Sequence, residues 1–180
     1  MPPKAKELPT IFLAHGAAGT ASSMRPYVEA LESRGLKTTA VSLRRGGRPV
    51  PKAERAVPDY LAAVPAGSIA GGHSYGGRVA SMAALTTTYT ALVLLSYPLH
   101  RPGHPESLRV EHWPAIHCPV LLLSGESDPF ARLELLKESV RLLPRGRLVT
   151  FPRVGHGLLP VIDQAMDEVA AFLRDSVRAG

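Results

Sequence analysis

Six short apolar runs alternate with longer stretches of helical periodicity along this chain. Each run is bounded by Gly, Pro or polar residues, as is typical of strands, and the six read PTIFLAHG, LKTTAVSLR, GSIAGGHS, TALVLLSYP, CPVLLLSGE and GRLVTFP. Candidate helices lie between them at roughly 21–34, 53–64, 75–86, 130–143 and 160–178. Runs such as ALVLL are apolar on consecutive residues, as expected where helices cover both faces of a parallel sheet. The alternation therefore predicts an α/β fold with three layers, built on a doubly wound, mostly parallel six-stranded sheet.

The length and composition of the chain limit what this fold can contain. Its 180 residues, 45% of them hydrophobic, fit one domain over residues 1–180. No apolar run approaches the roughly 20 residues of a membrane helix, so we expect no membrane span. The first run leads into a glycine turn without a cleavage site of small residues, so we expect no signal peptide. The single cysteine, Cys118, cannot form an internal disulfide, and we expect a cytoplasmic protein.

The formal net charge of +6 raises the question of nucleic-acid binding. The basic residues are scattered, and their densest group, Arg44, Arg45 and Arg48, is interrupted by two glycines. This group is typical of a solvated loop, although arginine side chains also suit a phosphate or carboxylate. We expect no specific nucleic-acid binding. The chain also has no CxxC or paired-histidine spacing, so we expect no metal site.

The third apolar run ends in a motif that carries chemistry. Residues 72–76, Gly-His-Ser-Tyr-Gly, match G-x-S-x-G, with the strand SIAG before them and the helical pattern GRVASMAAL after them. A nucleophile on a sharp strand-to-helix turn needs small neighbours, and the free N–H groups of the helix start stabilise an oxyanion. An ordinary glycine-rich turn is the alternative. Motif and context together favour Ser74 as a nucleophile.

A serine nucleophile requires a base and a carboxylate that orients the base. Asp128 follows the strand VLLLSG, and His156 lies in a glycine-flanked loop after the last strand. The chain order Ser74, Asp128, His156 is that of serine triads on parallel α/β sheets. Glu126 is a second candidate acid, and Asp128 has helix capping as its alternative role. We predict Ser74 as nucleophile, His156 as base and Asp128 as orienting acid.

Other residues are candidates for the oxyanion hole and the substrate pocket. The Tyr75 N–H follows the nucleophile, and a second N–H donor is expected from Ala17 in the glycine-broken turn after the first strand, where an ordinary tight turn is the alternative. Residues 97–118 are rich in Pro and His and leave the end of a strand, so they should border the pocket. Weaker candidates for substrate binding are Gly16, His73 and His100.

With these residues placed, the chain resembles the α/β-hydrolase superfamily, and within it the small dienelactone-hydrolase-like branch. The match rests on HG at 15–16, GHSYGG at 72–77, SGESDPF at 124–130 and GH at 155–156. More narrowly, GGHSYGGRVAS and SYPLHRPGHPESLRVEHW are similar to small bacterial hydrolases, which are related to a hydrolase-like domain of a histone acetyltransferase-complex subunit. The resemblance implies a minimal α/β-hydrolase fold without a large cap and a serine hydrolase without a cofactor.

The predicted activity is cleavage of a small ester, thioester or lactone through a Ser-His-Asp triad and an acyl-enzyme intermediate. The expected partner is a small-molecule acyl substrate, and the chain is expected to act as a monomer or homodimer without membrane association. In the related eukaryotic domain the fold serves as an interaction scaffold. A catalytically silent binding or scaffold protein is therefore the alternative function.

Overall fold

The computed structural model describes residues 7–43 and 50–178, and these form one six-stranded sheet flanked by helices. The strands are β1 (Ile11–Ala14), β2 (Thr38–Val41), β3 (Ile69–His73), β4 (Ala91–Leu95), β5 (Val120–Gly125) and β6 (Gly146–Phe151). They lie in the order β2-β1-β3-β4-β5-β6, and every neighbouring pair is parallel. The six strands predicted from the sequence are confirmed, and the described sheet is parallel throughout.

Helices cover both faces of the sheet. Two of them, α1 (Arg25–Glu32) and α5 (Ile162–Arg178), pack together against one face. The other face is covered by α2 (Ala53–Ala63), α3 (Tyr75–Ala83) and α4 (Leu133–Ser139). The three-layer, doubly wound fold is confirmed. The strand order reverses between β1 and β3, and the crevice at such a switch point is where doubly wound sheets bind ligands.

Strand β4 shows why these strands are apolar on consecutive residues. Its residues Ala91, Val93 and Leu95 pack into the layer of α1 and α5, whereas Leu92 and Leu94 pack into the layer of α2, α3 and α4. All five are 0% exposed. Because burying a side chain such as Leu or Val contributes about 1.5–3 kcal/mol, the strands at the centre of the sheet hold both layers in place.

Two helices begin three or four residues later than the sequence indicated. The stretch predicted at 21–34 starts with a 3₁₀ turn at Ala21–Met24, and α1 follows it. The stretch predicted at 130–143 has α4 only from Leu133 to Ser139, because the residues before it form a turn. In that turn Asp128 Oδ1 accepts a hydrogen bond from the Phe130 N–H at 2.8 Å. The turn fixes the Asp128 carboxylate at the end of β5.

The irregular segment 97–118 crosses the edge of the sheet where the strands end. Its regular structure is limited to a 3₁₀ turn at Trp113–Ala115 and an isolated bridge between Arg101 and His104. Tyr97 and Trp113 are buried with their rings edge to face, 5.0 Å between centroids, and they fasten the segment to the core. The described chain therefore carries no large cap over this edge, as the resemblance implied.

The sequence predicts that no helix spans a membrane and that a group of arginines forms a solvated loop. Within residues 7–43 and 50–178, no helix combines the length and the apolar character needed to cross a membrane. The arginine group Arg44, Arg45 and Arg48 lies outside the described residues.

Candidate active site

Ser74 lies on the turn between β3 and α3 and has an unusual backbone conformation. Its φ of 49° and ψ of −115° fall in a region that residues with a side chain rarely adopt. The Ser74 N–H donates to Leu95 O at 2.8 Å, which ties the turn to the end of β4. Strained residues persist where the surrounding structure holds them, and they are concentrated at functional sites. The turn presents the hydroxyl at the carboxyl edge of the sheet.

Two glycines allow this turn to pass close to β1. A Cβ on Gly72 would lie 2.6 Å from Ala14 O, and a Cβ on Gly76 would meet the same carbonyl oxygen. These contacts are with backbone atoms, so no side-chain rotation could relieve them. Any larger residue at either position would push α3 away from β1 and displace Ser74. The glycine pattern of residues 72–76 is therefore required by close packing of the backbone.

The side chains of Ser74, His156 and Asp128 form one hydrogen-bonded series. His156 Nδ1 lies 2.8 Å from Asp128 Oδ2, and His156 Nε2 lies 2.8 Å from Ser74 Oγ. Because an ionised carboxylate only accepts hydrogen bonds, Nδ1 carries the ring proton and donates it to Asp128. The lone pair of Nε2 then accepts the hydrogen bond from the Ser74 hydroxyl. This arrangement places a proton acceptor, His156 Nε2, within hydrogen-bonding distance of the Ser74 hydroxyl.

Asp128 is held rigidly behind His156. Its side chain is 0% exposed, whereas the His156 side chain retains 20% of its exposure. One carboxylate oxygen accepts from His156 and the other accepts from the Phe130 N–H, so both oxygens have a donor. A buried charge is tolerated when it is hydrogen-bonded in this way. The carboxylate is thus fixed in place and shielded from water, and the imidazole stands at the solvent side.

The loop that carries His156 is fastened to the loop that carries Asp128. The Ser127 N–H donates to Val154 O at 2.9 Å, and a Cβ on Gly125 would meet the carbonyl oxygens of both Val154 and Gly155. Only glycine at position 125 lets the two loops approach this closely. Position 125 therefore contributes to the distance between the imidazole and the carboxylate.

Glu126, the second candidate acid, faces another partner. Its Oε1 accepts a hydrogen bond from Thr150 Oγ1 at 2.8 Å. Thr150 lies on β6 and is paired in the sheet with Ser124. The carboxylate of Glu126 is therefore engaged with a strand residue, while His156 is bonded to Asp128.

Two rings pack against the imidazole of His156. The Phe130 ring lies 4.3 Å from it between centroids, and the His73 ring lies 5.4 Å from it. His73 in turn stacks on Tyr27 at 6.3 Å. Burial is the main reason that the pKa of His73 falls to about 4, and the nearby His156 lowers it further. His73 is therefore neutral at physiological pH and supports His156 without adding a charge.

His73 and Gly16, candidates for substrate binding, both lie beside Ser74. His73 Nε2 is buried without a hydrogen-bond partner among the described residues. A Cβ on Gly16 would lie 3.0 Å from His73 Nδ1 and 3.6 Å from Ser74 Cβ, so the backbone after β1 passes directly over the serine. The contribution of Phe130 was missed. Its position depends on the turn at Asp128, and the DPF sequence alone does not reveal it.

The residues expected in an oxyanion hole lie on two turns at this edge. Tyr75 is the first residue of α3, where N–H groups have no acceptor within the helix. Ala17 follows Gly16 in a turn that is closed by a hydrogen bond from the Gly19 N–H to Gly16 O at 3.0 Å. His15 braces this turn, since its Nδ1 donates to Gly16 O at 2.8 Å and its Nε2 accepts from the Leu43 N–H at 3.2 Å. The use of Ala17 as a donor stays a prediction.

His100, a candidate for substrate binding, is engaged in contacts within the protein, and its role in substrate binding stays a prediction. His100 is 4% exposed, and both ring nitrogens are already used. Its Nε2 accepts from the Arg132 N–H at 3.0 Å, and its Nδ1 donates to Arg101 O at 2.8 Å. The partner at Arg132 lies 32 residues away in the sequence, so nothing near His100 in the chain signals this role. His100 joins the irregular segment to the turn before α4.

The arrangement can support nucleophilic chemistry without a metal ion. Among the described residues, no three His, Cys, Asp or Glu side chains are grouped so that they could hold a metal. What the site provides is a hydroxyl, an imidazole bonded both to that hydroxyl and to a buried carboxylate, and backbone N–H groups, all at the carboxyl edge of one parallel sheet.

This fold and the position of the site define a class of protein, the α/β hydrolases. The chain matches the profile of the alpha/beta hydrolase domain family over residues 7–172, and it belongs to that family.

Solved structures confirm the fold. Est1E from Butyrivibrio proteoclasticus, solved with ferulic acid bound, superposes with a TM-score of 0.78 over 96% of this chain and 90% of that chain, at 17% identity. A thermophilic esterase from Thermogutta terrifontis, solved with malate bound, has a TM-score of 0.70 over 95% of this chain and 90% of that chain, at 19% identity. At these identities the likeness concerns the fold.

Proposed function

We propose that this protein is a serine hydrolase that cleaves a small ester, thioester or lactone through an acyl-enzyme intermediate. The observation that carries the proposal is the series of two 2.8 Å hydrogen bonds that runs from Ser74 Oγ through His156 to Asp128. Membership of the alpha/beta hydrolase domain family is consistent with it. A scaffold protein would have no physical need for a strained serine hydrogen-bonded to an imidazole that is itself hydrogen-bonded to a buried carboxylate.

In the proposed first step, Ser74 Oγ attacks the acyl carbon while His156 Nε2 takes the hydroxyl proton. The carbonyl π bond breaks and its electron pair forms an oxyanion, which the N–H groups of Tyr75 and Ala17 stabilise. Asp128 holds the imidazole in the productive tautomer and stabilises the imidazolium. Collapse of the intermediate then expels the alcohol or thiol, which receives the proton from His156.

In the second step, water takes the place of the departed alcohol or thiol. His156 removes a proton from the water, the hydroxide adds to the acyl carbon, and collapse releases a carboxylic acid and returns the proton to Ser74 Oγ. No oxidant, reductant or metal is needed for this balance. For a lactone, the leaving alcohol stays attached to the acyl group, so the product is a single hydroxy acid.

Within the superfamily we place the chain in the small dienelactone-hydrolase-like branch, near the bacterial hydrolases related to the histone acetyltransferase-complex subunit. The connection between β4 and β5 contains only a 3₁₀ turn at Trp113–Ala115 and no cap, which is consistent with this placement. We also propose a cytoplasmic location, a small-molecule acyl substrate and no specific nucleic-acid partner.

The test is a panel of 4-nitrophenyl esters of increasing acyl length, run beside thioesters and a lactone, with wild type and Ser74→Ala. We expect the wild type to turn over at least one class, and Ser74→Ala to lose on the order of 10⁴-fold or more in kcat. Ser33→Ala is the matched control. Ser33 lies at the end of α1, where its hydroxyl donates to Ala30 O and accepts from Arg34 Nη1, both within the same turn of chain.

The control should keep wild-type rates, because α1 starts at the carboxyl edge of the sheet and Ser33 is at its far end. Hydrolysis that survives in Ser74→Ala would contradict the nucleophile. A folded wild type that turns over no member of the panel and binds a partner protein stably would instead favour the scaffold alternative.

A further inference from the structure

A cavity of about 510 Å³ lies beside the start of α3. Its walls come from three segments: the start of α2, the first turn of α3, and the irregular segment after β4. Each of these segments leaves the carboxyl end of a strand, so the cavity is on the same edge of the sheet as Ser74. Arg78, in its wall, donates its backbone N–H to Ser74 O at 3.1 Å. One helical turn, a rise of about 6 Å, separates the two residues.

The cavity is rich in cations that carboxylates do not fully neutralise. Its lining includes the four cations Lys52, Arg78, Arg101 and Arg109. It also includes three glutamates, of which Glu54 is paired with Arg78 at 3.1 Å and Glu106 accepts from His104 at 3.1 Å. Glu111 is the third. Among the described residues, Arg101 and Arg109 have no carboxylate within ion-pair distance.

Two of these guanidinium groups have N–H donors that no acceptor among the described residues satisfies. Arg109 Nη1 reaches one carbonyl, Pro98 O, at a long 3.4 Å. Arg78 uses Nη2 on Glu54, while its Nε is buried and has no acceptor among the described residues. A buried donor without an acceptor costs free energy, and a guanidinium offers five donors in a geometry that matches a carboxylate or phosphate. An anion in the cavity would supply the missing acceptors.

The backbone that carries Arg109 is held in place before any ligand arrives. The Arg109 N–H donates to Leu99 O at 2.9 Å, and Arg109 O accepts from the Tyr97 hydroxyl at 2.7 Å. The segment is further bonded to α3 through His112 Nε2 and Ser81 Oγ, which lie 2.8 Å apart. Prior positioning of this kind reduces the entropy lost when a ligand binds.

The surroundings of Arg109 also favour an anion. Burial lowers the pKa of Arg109, and the like charges of Arg78 and Arg101 lower it further. Three guanidinium groups are therefore close enough to repel one another, with Glu54 as a partial counter-charge. Binding of a negative group between them would relieve this repulsion.

We propose that this cavity selects substrates that carry a carboxylate or phosphate a few bonds from the scissile carbonyl, with Arg109 and Arg78 as the specificity-determining residues. The inference rests on the proposed hydrolase function, because it uses Ser74 as the point of attack. Because the Arg78 N–H is bonded to Ser74 O, the cavity wall begins beside the residue that carries the nucleophile, and we assign the class as substrates with a short chain of about three to five bonds between the carbonyl and the anion. The charge can belong to the acyl group or to the leaving group.

The first arm of the test places the charge on the acyl group. Mono-4-nitrophenyl glutarate is compared with 4-nitrophenyl 5-methylhexanoate, which has an isopropyl group in place of the carboxylate. The second arm places it on the leaving group and compares the hexanoyl thioester of 3-mercaptopropionate with that of 3-methylbutane-1-thiol, which has an isopropyl group in place of the carboxylate. We expect the anionic member of at least one pair to be favoured in kcat/KM by roughly tenfold or more, which is the range of a charge-assisted contact.

Arg109→Gln should reduce this preference by roughly tenfold, mainly by raising KM for the anionic member of the pair. Arg101→Gln is a second variant at an exposed side chain, where folding is not at risk, and it should reduce the preference less. Arg141→Gln is the matched control, because Arg141 is exposed in the 3₁₀ turn after α4 and outside the cavity. It should keep the wild-type preference.

Binding of glutarate and of inorganic phosphate, measured by calorimetry on the intact protein, separates the two hypotheses. Neutral esters cleaved in a Ser74-dependent way, with no anionic preference in either arm and no Arg109-dependent binding, would overturn the cavity inference and leave the hydrolase function standing. Arg109-dependent anion binding without turnover of any ester would contradict the hydrolase function and with it the role of the cavity in substrate selection.

Discussion

Replacing His73 with asparagine should make the stability of the protein less sensitive to acid. The ring of His73 is enclosed between Tyr27 and His156, and burial lowers its pKa from 6.5 to about 4. The folded state therefore binds this proton less readily than the unfolded chain does. Between about pH 6.5 and about pH 4, protonation of His73 favours unfolding.

The sign and the size of the effect follow from linkage. A lowered histidine pKa gives stability that is complete above the unfolded pKa of about 6.5 and is lost as the pH falls toward about 4. Each unit of difference between the folded and the unfolded pKa corresponds to about 1.36 kcal/mol, so the complete contribution of His73 to the free energy of unfolding is about 3 kcal/mol. On lowering the pH from about 7.5 to about 4.5, the contribution of His73 to the free energy of unfolding should fall by about 2 to 3 kcal/mol.

The assay is urea unfolding of wild type and His73→Asn across this pH range, followed by far-UV circular dichroism. Every other titrating group is common to both proteins, so the difference between the two curves isolates His73. His117→Asn, a change of the same kind at an exposed histidine, is the matched control and should follow the wild type. Parallel curves for wild type and His73→Asn, or a steeper acid loss in the variant, would show that burial does not keep His73 neutral.

Gly125→Ala should destabilise the protein by about 1–3 kcal/mol in urea unfolding and lower kcat/KM, because its Cβ would meet the Val154 and Gly155 carbonyl oxygens and move the His156 loop. The adjacent control Gly155→Ala has open space around the new methyl group, so it should change stability by less than about 0.5 kcal/mol; equal effects of the two changes would contradict the close approach. Asp128→Asn should reduce kcat on the order of 10³- to 10⁴-fold in the ester assay. Glu126→Gln should reduce kcat only a few-fold, since that carboxylate accepts from Thr150. A larger loss of kcat in Glu126→Gln than in Asp128→Asn would instead identify Glu126 as the acid that orients His156.

Much of this molecule could be predicted from local sequence. The six strands are continuous apolar runs because both faces of the sheet are buried, and the glycines around Ser74 mark a turn that passes against β1. Asp128 and His156 could be found because each follows a strand, and the carboxyl ends of parallel strands meet at one edge.

What could not be predicted depends on contacts between distant segments. The bond between His100 Nε2 and the Arg132 N–H joins two residues that are 32 positions apart in the sequence. The neutral stack of His73 requires Tyr27 from α1 and His156 from the last loop. The cationic cavity requires Arg78 and Arg109 to come together from different segments, and neither has a neighbour in sequence that indicates this. Periodicity and turn signals describe each segment by itself and carry no information about such contacts.

The central claim is that Ser74 is a nucleophile activated by His156. The most direct measurement is intact-mass and peptide mass spectrometry of the protein after reaction with a fluorophosphonate, which forms a stable adduct with an activated serine. We predict one adduct per chain, located on Ser74 in the peptide that contains GGHSYGG, with no adduct in Ser74→Ala. An adduct of equal yield in Ser74→Ala, or a folded wild-type protein that remains unlabelled, would contradict this account.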